Sequence, residues 1–104
     1  LWAQPRLKEA GGAMRASAES VTLSCRLSNS AFAGYSIRWY RRAPGGSLEW
    51  VSLINYAGSV KKYGAAAEGR ATASRDSYSS QSSLFLWALH PSDSASYFCS
   101  IHTG

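Results

Sequence analysis

Two histidines, two cysteines and six Asp/Glu are the residues of this 104-residue chain best suited to hold a metal, move a proton or attack a carbonyl. Their spacing supports none of these chemistries. HxxxH, CxxC and GxSxG are all absent. His90 precedes Pro91 in a turn, and His102 stands without a second ligand nearby in sequence. "PGGS" (44–47) is followed by no Gly-Lys-Ser/Thr, so it is a hairpin turn and not a phosphate loop. The sequence therefore predicts no catalysis, no metal and no cofactor. Asn-x-Ser/Thr is also missing, so N-glycosylation is not expected.

The elements that position these residues are strands. "SVTLSCRL" alternates, placing Val21, Leu23, Cys25 and Leu27 on one face. "SIRWYRR" sets Ile37 and Trp39 against Tyr40 and Arg42. "RATAS" turns Ala71 and Ala73 inward, "SLFLWAL" offers Leu84 and Leu86, and "SASYFCS" offers Ala95, Tyr97 and Cys99. Gly11-Gly12, Pro44-Gly45-Gly46, Ala57-Gly58, Gly64 and Pro91 punctuate the runs. Short strands with turns every ~8–12 residues predict an all-β, two-sheet antiparallel sandwich filling the whole chain, 1–104.

Composition agrees with that class. Hydrophobic residues are 45% and charged residues 16%, a globular balance. A chain this short buries roughly 60–70% of its unfolded surface, so a covalent staple helps it. The net charge of +5 comes from scattered bases, whose longest runs are Arg41-Arg42 and Lys61-Lys62. That reads as a solvated surface and not as a nucleic-acid footprint. No apolar run approaches the ~20 residues of a membrane span, and "LWAQPRLKEAGG" has no signal-peptide core, so direct membrane contact is not expected.

The cysteines are the strongest single feature. Both take inward positions, 74 residues apart, with Trp39 fourteen positions after Cys25. They are either bridged between the sheets or two buried free thiols in a reducing compartment. Inward facing and the nearby indole favour the bridge, and with it an extracellular or luminal setting.

From about Gln4 to Cys99 the chain resembles an immunoglobulin-superfamily variable domain, antibody heavy-chain-like in "RLKEAGGAMRASAESVTLSC", "RWYRRAPGGSLEWVSLI" and "GRATASRD". "HPSDSASYFC" and the Trp-Tyr pair at 39–40 are more similar to T-cell receptor variable domains, as in receptor chains of mu or delta type with heavy-like variable segments. The resemblance implies a V-type Greek-key sandwich on the ectodomain of a plasma-membrane receptor, or secreted, that binds protein or other antigen in adaptive immunity. An antibody heavy-chain domain, paired or single, and an adhesion or inhibitory receptor domain share the same pattern. It also implies an Arg70–Asp93 pair and a Tyr97 hydroxyl bonded back to the preceding turn. Two departures stand out. "SIHTG" ends the sequence before a joining segment, so the final strand is expected to be missing. Ala71 and Ala73 replace larger residues and are expected to thin the core.

By the same resemblance, loops at about 29–36, 55–59 and from 100 gather at one end. Phe32, Tyr35, Tyr56 and Ile101 would give contact area there, while Asn55, Ser59 and His102 would give hydrogen bonds. Phe32 also reads as a loop anchor against the framework. Tyr40, Leu48, Trp50 and Phe98 should form an outer apolar patch beside Arg42, the face on which a second variable domain would sit. Arginine at 42, where glutamine usually exchanges hydrogen bonds with its symmetric partner, argues for a domain that works unpaired, its third loop covering the patch.

Overall fold

The computed structural model describes residues 7–11, 20–26, 34–76 and 81–103. Period-two runs become strands: β1 (Leu7–Gly11), β2 (Val21–Arg26), β3 (Tyr35–Arg42), β4 (Glu49–Ile54), β5 (Lys61–Tyr63), β6 (Ala71–Asp76), β7 (Gln81–Leu86) and β8 (Ser96–Thr103). They form two antiparallel sheets, one ordered β1-β8-β3-β4-β5 and the other β2-β7-β6. Before β8 the chain makes a single 3-10 turn, Pro91–Asp93, where proline at the first position sacrifices no hydrogen bond. No helix among the described residues is long and apolar enough to cross a membrane.

Each alternating run delivers its inward set to the space between the sheets. Leu23, Cys25, Ile37, Trp39, Ala73, Leu84, Leu86, Tyr97 and Cys99 are buried there, and Val21 lies half-buried against them. Leu27 falls outside the described residues. Cys25 and Cys99 are bridged across the sheets. Trp39 stands in register with Cys99 and is fully buried beside the bridge. Ala71 and Ala73 are inward as expected, but that side is not left thin: Tyr63 packs against the core, and its hydroxyl accepts a hydrogen bond from the Ala73 N–H at 2.9 Å. The phenol thus ties β5 of one sheet to β6 of the other.

Strict alternation fails in β4. A bulge shifts the register between Trp39 and Tyr40, so Val51 and Ser52 are both buried although adjacent. The bulge lets Trp50 stay outward opposite Tyr40 while Ile54 returns to the core. Gly64 fixes Trp50 from the other side, since a Cβ there would lie 2.7 Å from the Trp50 carbonyl oxygen.

Ala88 follows β7 with φ of 53°, a left-handed conformation that costs an L-residue about 1–2 kcal/mol. Its carbonyl is held by the Arg70 guanidinium at 3.0 Å. Ala88→Gly is expected to raise stability by about 0.5–1 kcal/mol, the relieved strain exceeding the added unfolded-state entropy. A urea melt with an unchanged or lower midpoint would count against this.

Candidate functional site: the loop end and the outer sheet face

The base of the sandwich holds a charge cluster that carries the structure's largest electrostatic stakes. Asp93 is 1% exposed. Its carboxylate accepts Arg70 Nη1 at 2.9 Å, Arg70 Nη2 at 3.0 Å, Arg41 Nη1 at 2.8 Å and the His90 N–H at 2.8 Å. Burial alone would raise its pKa, but the bonds from Arg70, the His90 backbone and Arg41 hold it at about 2. Arg70 and Asp93 are thus in contact, the pair that the resemblance implies. The Tyr97 hydroxyl donates to the Asp93 carbonyl at 2.9 Å. Burial pushes the Tyr97 phenol up, against the favourable field of Arg41. Arg41 was not foreseen. It shares the inward parity of Ile37 and Trp39, and it joins Glu49 (2.8 Å), Asp93 and Tyr97 (3.2 Å). Burial opposes the charge on Arg41, but its hydrogen bonds to Glu49, Tyr97 and Asp93 keep it firmly protonated. An inward charge within an apolar strand face was the available signal.

At the opposite end, the turn between β4 and β5 closes on itself. Asn55 Nδ2 donates to Ser59 Oγ at 3.1 Å, the Val60 N–H donates to Asn55 Oδ1 at 3.0 Å, and Gly58 turns the chain with φ of 75°. Asn55 and Ser59 therefore spend hydrogen bonds on building the loop, and what it presents is Tyr56, 57% exposed at the tip. Arg75 Nη1, on β6, donates to the Tyr35 and Asn55 carbonyls at 2.6 and 2.7 Å. One side chain thus ties the end of the first loop segment to the start of the second, and its burial lowers its pKa. Tyr35 leans half-buried on the core. Phe32 lies outside the described residues.

Ile101 and His102 belong to β8 and not to a loop. Ile101 pairs with Ile37 and is 8% exposed, so its side chain is part of the core and offers no contact area, contrary to the sequence-based expectation. Alternation explains it: Cys99 and Ile101 share a face. His102 takes the outer parity instead, with its Nε2 2.8 Å from Ser100 Oγ. Burial and then the Arg38 charge depress its pKa, so the neutral imidazole is favoured.

The outer face of the larger sheet carries Tyr40, Trp50 and Phe98 in register across β4, β3 and β8. Leu48 (46%) and Trp50 (38%) are exposed, while Tyr40 and Phe98 are half-buried. Arg42 does not point away from this patch. Its guanidinium lies 5.7 Å from the Phe98 ring centroid, a cation–π contact that covers part of the ring. Above them Arg38, Tyr40, Trp50 and Leu53 line a hollow, and Arg38 and Leu53 are members that the sequence reading missed. No group of three potential metal ligands occurs among the described residues.

Two antiparallel sheets joined by a buried cystine, with a buried indole beside it, define a module of immunoglobulin type. The sequence profile of the immunoglobulin V-set domain matches residues 14–104, and the chain belongs to that family. V-set domains are generally extracellular, non-enzymatic modules that mediate protein–protein recognition.

Proposed function

We propose that the protein is the variable domain of a lymphocyte antigen receptor, of T-cell receptor type with a heavy-like variable segment, and that it binds antigen non-covalently through its loop end. The observation that carries this reading is the Arg75 clamp. It fixes two loop segments to the rigid sandwich and leaves Tyr56, a large amphipathic side chain with little rotamer entropy, at the tip. Tyr35 supports that platform from below, and His102 borders it from β8. The test is to sequence transcripts of this gene from many single lymphocytes. Diverse junctions downstream of Cys99, joined to a T-cell receptor constant region, are expected. One invariant continuation in every cell would assign the domain to a fixed adhesion or inhibitory receptor, and an antibody constant region would assign it to a heavy chain.

The same domain works without a second variable domain on its outer face. Arg42 supports this, because it stacks on Phe98 and brings to a pseudo-symmetric contact a charge with no acceptor to return. In sedimentation velocity the receptor chain should remain monomeric over a wide concentration range and in the presence of light-chain-like variable domains. Tight association that Trp50→Ala abolishes would show an ordinary pairing face.

A further inference from the structure

The hollow on the outer sheet face has apolar walls and a charge that no described side chain answers. Trp50, Tyr40 and Leu53 form the walls, and the exposed Arg38 supplies the head. No side-chain hydrogen bond or ion pair joins the Arg38 guanidinium to any described residue. Lys62 is in register with Leu53 on the next strand, so a second exposed cation flanks the hollow, and Arg42 stands two residues along β3 on the same face. Four of the described carboxylates lie elsewhere. Glu49 is bound to Arg41, Asp93 is buried in the basal cluster, Glu68 lies in the 64–70 turn, and Asp76 is on β6 of the other sheet. The fifth, Glu9 of β1, is in register with Phe98 and so at the level of Tyr40, two residues along from Arg38 and with β8 between them.

We propose that this hollow is a recognition subsite for an acidic, apolar segment of a protein partner. A carboxylate would pair with Arg38, and a neighbouring aromatic or aliphatic side chain would lie on Trp50 and Leu53. The inference rests on the reading of the domain as an unpaired recognition module, and it takes the hollow to be open to a partner where the sequence resemblance would lay a third loop over the same patch. Charge selects the occupant. A second copy would bring Arg38, Arg42 and Lys62 against the same three cations, and like charges in a desolvated contact oppose association. An Asp or Glu side chain instead gives arginine the bidentate partner it lacks among the described residues, while the ring of Trp50 gives the burial that an ion pair at a surface does not provide. The exposed Phe85 of β7 and Trp87 just beyond it, 5.6 Å apart, serve as a control surface, where the residues in register with Phe85 are the uncharged Thr22 and Thr72.

The experiment pans a random twelve-residue peptide library, displayed on phage, against the complete chain with its disulfide intact. Enriched peptides should place Asp or Glu beside Phe, Trp or Leu. A selected peptide, measured by fluorescence anisotropy, should bind roughly tenfold or more weakly to Arg38→Gln, as expected for loss of a charge-assisted contact, and should bind Phe85→Ser unchanged. Its Glu-to-Gln version should lose affinity to a similar extent. Neutral or basic consensus sequences, or equal binding to Arg38→Gln, would overturn the proposal. So would Arg38-dependent binding of phosphatidylserine vesicles without acidic peptide enrichment, which would give the face to a membrane. Peptides lost with Tyr56→Ala but not with Arg38→Gln would overturn the subsite and leave the loop-end reading intact, whereas invariant transcripts would fail the antigen-receptor reading alone.

Discussion

Asp93→Asn is expected to lower the unfolding free energy by about 3–5 kcal/mol, the scale seen when one member of a buried ionic network is removed. The reason lies in the donors left behind. Arg70 sends two hydrogen bonds to this carboxylate and Arg41 sends one, with the two guanidinium side chains only 17% and 12% exposed. An amide keeps the shape but offers one oxygen and turns an NH₂ toward a donor. Arg41 retains Glu49, so the greater burden falls on Arg70. The same group sets the acid limit. Its pKa is about 2 in the fold against ~3.9 when unfolded, so the contribution is fully present above pH ~4 and is lost as pH falls from there through about 2. Urea melts across that window should show the wild-type midpoint dropping while that of Asp93→Asn changes far less. A parallel decline of both proteins, or a midpoint shift worth less than ~1 kcal/mol at neutral pH, would show that the cluster contributes little.

That cluster also marks where sequence reasoning reached its limit. Alternation identifies a face correctly when one side of a strand is uniformly apolar, which is why Leu23, Cys25, Trp39, Leu84 and Tyr97 were legible as core. It marks Arg41 as an inward charge but does not say what answers it, since that is a carboxylate 52 positions away. The β4 bulge is invisible for a related reason: it is decided by the partner strand, and "EWVSLI" reads equally well without it. Asn55 and Ser59 have the residue types of ligand contacts, yet a turn needs the same types to satisfy its own backbone. Ile101 was assigned by counting from Cys99 to a loop, whereas strand pairing with Ile37 continues two residues past it. Arg75 looked like one more surface base because nothing in "RATASRD" announces two carbonyls from other segments.

Replacing both cysteines, Cys25→Ala with Cys99→Ala, should cost about 4–5 kcal/mol through lost loop-closure entropy, with a further cost for the space the sulfurs vacate. The bridge closes a loop of 74 residues, long enough to place this domain near the upper end of the usual range for one disulfide. Small domains are stable by only about 5–15 kcal/mol, so the variant should be marginal at 37 °C. Trp39 makes the effect local as well as entropic. The fully buried indole stands beside Cys99, and its N–H has no hydrogen-bond partner among the described residues, so packing against its neighbours is its main contribution. Trp39→Phe should then lose buried area without breaking a hydrogen bond, while Trp39→Ala should cost about 3–5 kcal/mol. Reduction with dithiothreitol provides the check. It should lower the wild-type denaturation midpoint nearly to that of the double variant, which itself should not respond to the reductant. If the wild-type midpoint withstands complete reduction, confirmed by alkylation of both thiols, the stability of the sandwich resides in its sheets, and the bridge between Cys25 and Cys99 is dispensable to the fold.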